Sequence, residues 1–318
     1  MKILFLVQKD QRIILDRLYE GVVAHTDCDL RWLSDDEQAD LPRYFRDHVD
    51  TSCYERIVFF LRFKKEIRQV AFIRSVPNLV ILEHDAWQNY FPCKYRGKFS
   101  QHYQRLPAVR VLCSGFQVAE RLRVDGVDAV FVPKGYDQTL LRNSAGERDI
   151  ELGFVGSTKS GIYSERKAML DEIARREPLM TMRTQSGDEY LTMLNRIRFF
   201  VSADVGMGEY MIKNFEAMAC GCVLFAYDQG ERENHALGFI DMQNLVLYRS
   251  ADDLQVKLAR LRADPALATR IAAAGQLLVE REYAFSRIGE RIAAALVPPL
   301  RPAKPPGVWE GIRLKLRF

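Results

Sequence analysis

Short apolar runs alternate along the chain with longer helical or polar stretches, and this alternation limits the fold more than any other feature of the sequence. The first set comprises Ile3 to Val7, Arg56 to Leu61, Leu79 to Leu82, Val109 to Cys113 and Val130 to Val132. A strand buried on both faces has no polar side, so it reads as a continuous run of Val, Ile, Leu and Phe. Such runs separated by helix-length segments predict a parallel sheet covered by helices. The pattern pauses at Val132-Pro133-Lys134-Gly135-Tyr136-Asp137 and the polar stretch Arg142 to Arg148. It resumes at Leu152 to Val155, Leu179 to Met182, Phe199 to Val201, Val223 to Ala226 and Asn244 to Leu247.

Proline, glycine and a polar run at the pause mark a domain boundary. At 318 residues the chain has room for two units of about 150 residues each. The expected fold class is α/β: two Rossmann-like domains facing a cleft, with parallel sheets and helices on both faces. The units are residues 1–140 and 149–285. Three helical stretches follow Ser250, with Asp253 as its capping-box partner and Leu254, Leu258 and Leu261 on one apolar face. The last, 286–298, ends at Pro298-Pro299 and is placed as a helix crossing back to the first domain; 299–318 forms a basic tail.

Composition narrows the function classes. With 48% hydrophobic and 28% charged residues the chain is that of a globular protein rather than a disordered one. A net charge of +4 spread among nearly as many acids as bases disfavours a nucleic-acid partner and leaves an anionic small molecule or membrane surface open. Cys28, Cys53, Cys93, Cys113, Cys220 and Cys222 show no C-x-x-C pair, so neither zinc nor a disulfide framework is expected, and a reducing, cytoplasmic setting fits. Met1 to Val7 reads as a core strand rather than a signal peptide. No run approaches the ~18 apolar residues of a membrane span. In the tail, Trp309, Ile312, Leu314, Leu316 and Phe318 interleave with Arg313, Lys315 and Arg317. A docked or frayed tail is the plainer reading of that pattern, and a peripheral contact with the inner face of the membrane is the alternative.

Several segments carry groups suited to chemistry. Met211 to Ala219 places Met211, Phe215 and Met218 on one helical face and stops before Gly221, so it reads as a short buried helix aiming its N-terminus at the crevice. Free N–H groups and a partial positive charge there suit a diphosphate, and Glu216, one turn inside, suits ribose hydroxyls. The plainer alternative is a Lys213–Glu216 surface ion pair. In Gly153-Phe154-Val155-Gly156-Ser157-Thr158 a strand runs into a loop whose small residues permit close backbone approach to phosphate. Arg166 and Lys167 open the next helix, where surface solvation is the plain reading of either one. His84 and Asp85 emerge at the C-terminal end of a strand, the edge where open α/β sheets bind ligands. The loop Trp87 to Lys98 mixes aromatic and basic groups, fit for a sugar, an anionic lipid carrier or core packing. Ser114-Gly115 reads as a helix cap, and Arg62 to Arg68 as a solvated basic face or, alternatively, a membrane-facing one.

The segment Lys213-Asn214-Phe215-Glu216-Ala217-Met218-Ala219-Cys220-Gly221-Cys222 resembles the F-E-A-M-A-C-G signature of the retaining GT-B glycosyltransferases of group 1 type, closest to their spore-maturation-like subfamily. Val132 to Asp137 is similar to that family's P-N-G-V-D interdomain turn, and Leu152 to Ser157 to its F-V-G strand and loop. The resemblance implies a transferase that moves a sugar from a nucleotide-diphosphate sugar, with UDP or GDP as carrier, to a glycan, glycolipid or other acceptor such as a cell-envelope polysaccharide. It also implies retained configuration and no metal or cofactor.

Gly156, Ser157, Arg166, Lys167, Lys213, Asn214, Phe215 and Glu216 would then meet the donor, with Glu216 on its ribose. The family's earlier glutamate, which faces the donor sugar, falls on Gly208, with Glu209 one place off. His84, Asp85 and Glu209 are the candidates for catalysis, and none is assigned a definite role. The rival readings are a nucleotide-sugar epimerase on the same fold and a nucleotide-sugar-binding partner that has lost catalysis.

Overall fold

A computed structural model describes residues 1–11, 14–159 and 161–302. Most of the expected basic tail, 303–318, lies outside the described residues.

Strands β1 (Lys2–Gln8), β2 (Asp27–Leu33), β3 (Arg56–Phe60), β4 (Leu79–Glu83), β5 (Arg110–Cys113) and β6 (Asp128–Phe131) form one sheet in the order β2-β1-β3-β4-β5-β6. A second sheet contains β7 (Ile150–Val155), β8 (Met180–Met182), β9 (Ile197–Ser202), β10 (Val223–Tyr227) and β11 (Val246–Tyr248), in the order β11-β10-β9-β7-β8. Every pairing is parallel. Helices flank both sheets. In each sheet the second strand lies outside the first and the third lies inside it, so the winding reverses beside β1 and β7. Ligand crevices open at such switch points, beyond the carboxyl ends of the strands.

The apolar runs all become strands, and β2 is an addition to them. Its sequence, Asp27-Cys28-Asp29-Leu30-Arg31-Trp32-Leu33, carries charges because it is an edge strand with half-exposed side chains. There Asp29 is bound by Arg31 at 2.5 Å and accepts from the Tyr54 hydroxyl at 2.6 Å. The middle of the central strand β3 carries no such groups: Ile57, Val58 and Phe59 are all fully buried, with alternate side chains entering the cores on opposite sheet faces.

Two connections join the halves. Linker residue Tyr136 donates its amide to the Tyr283 carbonyl at 3.0 Å and accepts from the Phe285 amide at 2.9 Å. The chain then enters the helix Phe285–Leu296, which lies on the first-half helix Asp16–Val23. The helices meet at two glycines: a Cβ on Gly289 would stand 2.2 Å from the Gly21 carbonyl carbon. Carbonyls at the end of this helix and just beyond it, which no further turn can satisfy, are met by first-half arginines. Arg56 reaches the Leu296 carbonyl at 2.9 Å, and Arg110 reaches those of Pro298 and Pro299 at 3.0 and 2.9 Å.

The preceding helices are Ala251–Ala263 and Pro265–Glu282. Leu254, Leu258 and Leu261 are fully buried. Only half of the capping box at Ser250 forms. The Ser250 hydroxyl accepts from the Asp253 amide at 3.1 Å, but the Asp253 carboxylate takes the amide of Arg249 instead of returning to Ser250.

Candidate active site

The second sheet supplies one wall of the cleft. Beyond the end of β9, the buried Asp204 carboxylate gathers four donors from three elements. It accepts from Arg166 Nη2 at 2.6 Å, Ser202 Oγ at 3.1 Å, the Met211 amide at 3.1 Å and Asn214 Nδ2 at 2.8 Å. These bonds fix the start of the helix Ile212–Ala219, whose N-terminal residue Met211 has no side-chain cap. They also hold the Arg166 guanidinium, which lies 4.4 Å from the Tyr163 ring centroid.

Glu216 lies one turn inside that helix. Its Oε2 accepts from the Tyr190 hydroxyl at 2.6 Å, and Lys213 Nζ stands 4.7 Å from the centroid of the same ring. Burial raises the Glu216 carboxyl above its ordinary range, against the pull of Lys213 and Tyr190. Burial lowers the Lys213 ammonium. A carboxylate and an ammonium thus share a desolvated corner beside an open space, where charge acts more strongly than in water. That space, about 310 Å³, is bordered by Gly156, Ser157, Arg183, Tyr190, Lys213 and Glu216. A side chain at Gly156 would stand 2.7 Å from the Phe154 ring and 3.1 Å from the Lys213 stem, so glycine keeps this approach open.

A second cavity of about 470 Å³ lies on the other side of Lys213, between the halves. It takes Arg166, Ile212 and Lys213 from the second half, His84 and Asp85 from the end of β4, and Lys134 from the linker. Burial and the Lys134 charge push the His84 imidazole down to about 3, so it is neutral at physiological pH. Its Nε2 is buried without a hydrogen-bond partner. Glu83 is held well above its ordinary range by burial and by Asp85, while accepting from the Tyr103 hydroxyl at 3.0 Å.

Of the residues expected from sequence, Gly156, Ser157, Arg166, Lys213 and Glu216 border these two spaces on the second-half side, and His84 and Asp85 on the first-half side. The others point elsewhere. Lys167 is exposed and paired with Asp171 one turn on at 2.5 Å, because consecutive helix residues face different directions. Phe215 is core, 4.9 Å from the Tyr283 ring. Asn214 is fully buried on Asp204. Glu209 turns toward the first half and binds Lys134 at 2.5 Å and the Ser114 hydroxyl at 3.0 Å.

Ser114 therefore does not cap its helix. Gly115 holds the cap position of Phe116–Val124, and the first-turn amides go to Glu233 of the second half. The Arg62 to Arg68 run is not a uniform solvated face either: Arg62 is paired with Asp35 at 2.5 Å, and Glu66 is buried against His102 at 2.8 Å. In the loop Trp87 to Lys98, Trp87 and Phe91 are core, while Gln88 and Tyr95 reach the larger cavity.

Sequence reasoning missed Asp204, Tyr190, Lys134 and Glu233. Asp204 was discoverable, since a lone acid just past an apolar strand at the crevice edge is the pattern that singled out Asp85. Lys134 stood in the linker motif, while Tyr190 and Glu233 carry no local signal.

Comparison with known proteins bears on the fold. Residues 149–294 match the family profile described as Glycosyl transferase-like. That stretch is similar to a glycosyltransferase domain. It contains Arg166, Asp204, Lys213 and Glu216. Solved structures resemble nearly the whole chain. A sucrose-phosphate synthase from Thermosynechococcus elongatus superposes with a TM-score of 0.65 at 12% identity, covering 92% of this chain and 98% of that one. Anabaena HepE in complex with UDP-glucose gives 0.67 at 13%, covering 93% and 99%. The T4 phage β-glucosyltransferase in complex with UDP and Mn2+ gives 0.58 at 12%, covering 94% and 100%. At these identities the likeness is one of fold, and the fold is GT-B. No curated protein sequence matches the chain.

Proposed function

We propose that the protein transfers a sugar from a UDP-sugar to a hydroxyl of a glycan or lipid-linked acceptor, with retention of configuration and without a metal ion. The observation that carries this reading is Glu216. It is a buried carboxylate bound to Tyr190, one turn inside a helix whose N-terminus opens between two cavities.

In this reading the nucleoside lies in the smaller cavity, with Glu216 on the ribose and the loop Gly156–Ser157 against the diphosphate. Arg166, Lys213 and the helix amides take up the charge that the leaving diphosphate gains as the glycosidic bond breaks. The sugar then extends into the larger cavity. There the acceptor attacks from the face that the diphosphate leaves, so no separate base is needed, and Asp85 and the neutral imidazole of His84 orient hydroxyls. UDP is chosen over GDP because UDP-sugar complexes occur among the structurally similar proteins. The acceptor half is 1–140, the donor half 149–285, and the site of action is cytoplasmic, at the inner membrane face where the acceptor is a lipid.

Calorimetric titration with UDP, GDP, CDP and dTDP tests the donor. Saturable UDP binding supports the reading, and no binding of any nucleotide overturns it. UDP release from a UDP-sugar that persists in EDTA supports metal independence. Gly208, in place of a carboxylate, favours one second reading, a donor-binding protein without turnover. Tight UDP-sugar binding with no UDP release across an acceptor panel would establish it.

A further inference from the structure

Glycine at 208 leaves the donor sugar without the carboxylate that the sequence resemblance leads one to expect. The backbone there also opposes a simple repair, because Gly208 has φ of +70°, a conformation that strains a residue with a side chain. The neighbouring carboxylate, Glu209, is turned to other partners, with Oε1 bound to Lys134 and Oε2 to Ser114.

Lys134 is differently placed. Its ammonium has three N–H groups and makes one hydrogen bond among the described residues, to Glu209. The side chain is 7% exposed, and it lines the same cavity as Arg166, Lys213 and His84. A buried ammonium with donors to spare calls for an acceptor. His84, which lines the same cavity, adds a buried Nε2 that makes no hydrogen bond. Sugar hydroxyls accept as well as donate, so a lysine can hold them where a carboxylate is absent.

Resting on the donor reading above, we propose that Lys134 is the residue that recognises the transferred sugar, and that Glu209 is its positioning residue. The sugar-facing group has moved from the second half to the linker and changed from an acceptor to a donor. Because Glu209 reaches Lys134 across the cleft, the subsite is complete only when the halves are closed on each other.

The test is calorimetric titration of the full chain with UDP and with UDP-glucose, UDP-galactose, UDP-N-acetylglucosamine and UDP-glucuronate. The wild type is expected to bind one UDP-sugar at least tenfold tighter than UDP. Lys134→Met should abolish that gain while leaving the UDP affinity within twofold, and Lys134→Arg should restore part of it. Removing Lys134 alone strands a buried carboxylate, so Lys134→Met/Glu209→Gln serves as the variant that keeps the fold, and it should lose the same gain. A gain retained in either variant overturns the proposal, as does an equal loss of UDP and UDP-sugar affinity. Wild-type protein that binds UDP but gains nothing from any sugar overturns it and leaves the donor reading standing. Wild-type protein that binds no nucleotide overturns both.

Discussion

The Glu233 carboxylate of the second half accepts the Gln117 amide of the first half at 2.9 Å, and the adjacent Phe116 amide at 3.2 Å. Glu233 is fully buried, so the glutamate caps a helix of the opposite half with no water between. Around it, the Gln117 side chain donates to the Gln229 carbonyl at 2.6 Å, and Arg232 pairs with Glu120. Together with Lys134–Glu209, these contacts hold the second half against the first half and the linker.

This clasp has a pH signature. Burial raises the Glu233 carboxyl to about 7, opposed by the Gln117 and Phe116 amides and by Lys134 and reinforced by the nearby Glu209. A carboxyl with a higher pKa folded than unfolded holds its proton longer in the native state, so its contribution to stability falls as pH rises from about 4.5 through 7. Urea unfolding of Glu233→Gln should therefore show little of this dependence. The stability difference between the two proteins should move by about 1–3 kcal/mol in favour of the variant between pH 5 and pH 8. A constant difference across that range would show that Glu233 is ionised throughout.

Glu216→Ala is expected to weaken UDP binding by about 1.5–3 kcal/mol, the scale of hydrogen bonds to a charged group. Tyr190→Phe removes only the hydroxyl that orients Glu216 and should cost less, about 0.5–1.5 kcal/mol. Titration calorimetry of both variants checks the order. Unchanged affinity in folded Glu216→Ala would reduce the residue to a partner of Lys213 and Tyr190.

Asp204→Asn should be among the most damaging single changes. It leaves the buried Arg166 guanidinium without its carboxylate and disturbs the bonds that order the helix start. Breaking a buried pair from one side costs about 3–5 kcal/mol. Replacing both partners, as in Arg166→Met/Asp204→Asn, should recover part of that stability in urea melts but not the UDP affinity. Recovery of both would mean that Arg166 has no part in the donor site.

The fold was legible because its central strands are buried on both sides and write their position as uninterrupted apolar runs, as in Arg56 to Leu61. β2 escaped that reading because an edge strand with Asp29 and Arg31 on it carries no such run. In the site, Glu216 and Lys213 were legible through one helix and its motif, where three residues bring side chains to one corner. Lys167 was misleading for the same local reason, since its neighbour Arg166 takes the inward direction. What the sequence could not express were contacts between elements far apart in the chain: Tyr190 on Glu216, Glu209 on Lys134 and Glu233 on Gln117. Each joins residues whose own surroundings look ordinary; the first shapes the corner beside the smaller cavity, and the other two set how the halves face each other.

Gly289→Val tests the remaining join. A side chain at 289 meets backbone rather than flexible atoms, namely the Gly21 carbonyl carbon at 2.2 Å and its Cα at 2.6 Å, so the two helices must separate. Overpacking of this kind costs about 1–3 kcal/mol. The helix that must shift begins with Phe285, which lines the smaller cavity, so UDP affinity should fall together with stability even though residue 289 borders neither cavity. Gly161→Ala, with nothing within 4 Å of the added atom, is the control and should unfold as the wild type does. If Gly289→Val lowers stability and leaves UDP binding intact, the C-terminal helix anchors the two halves without setting the shape of the donor cavity.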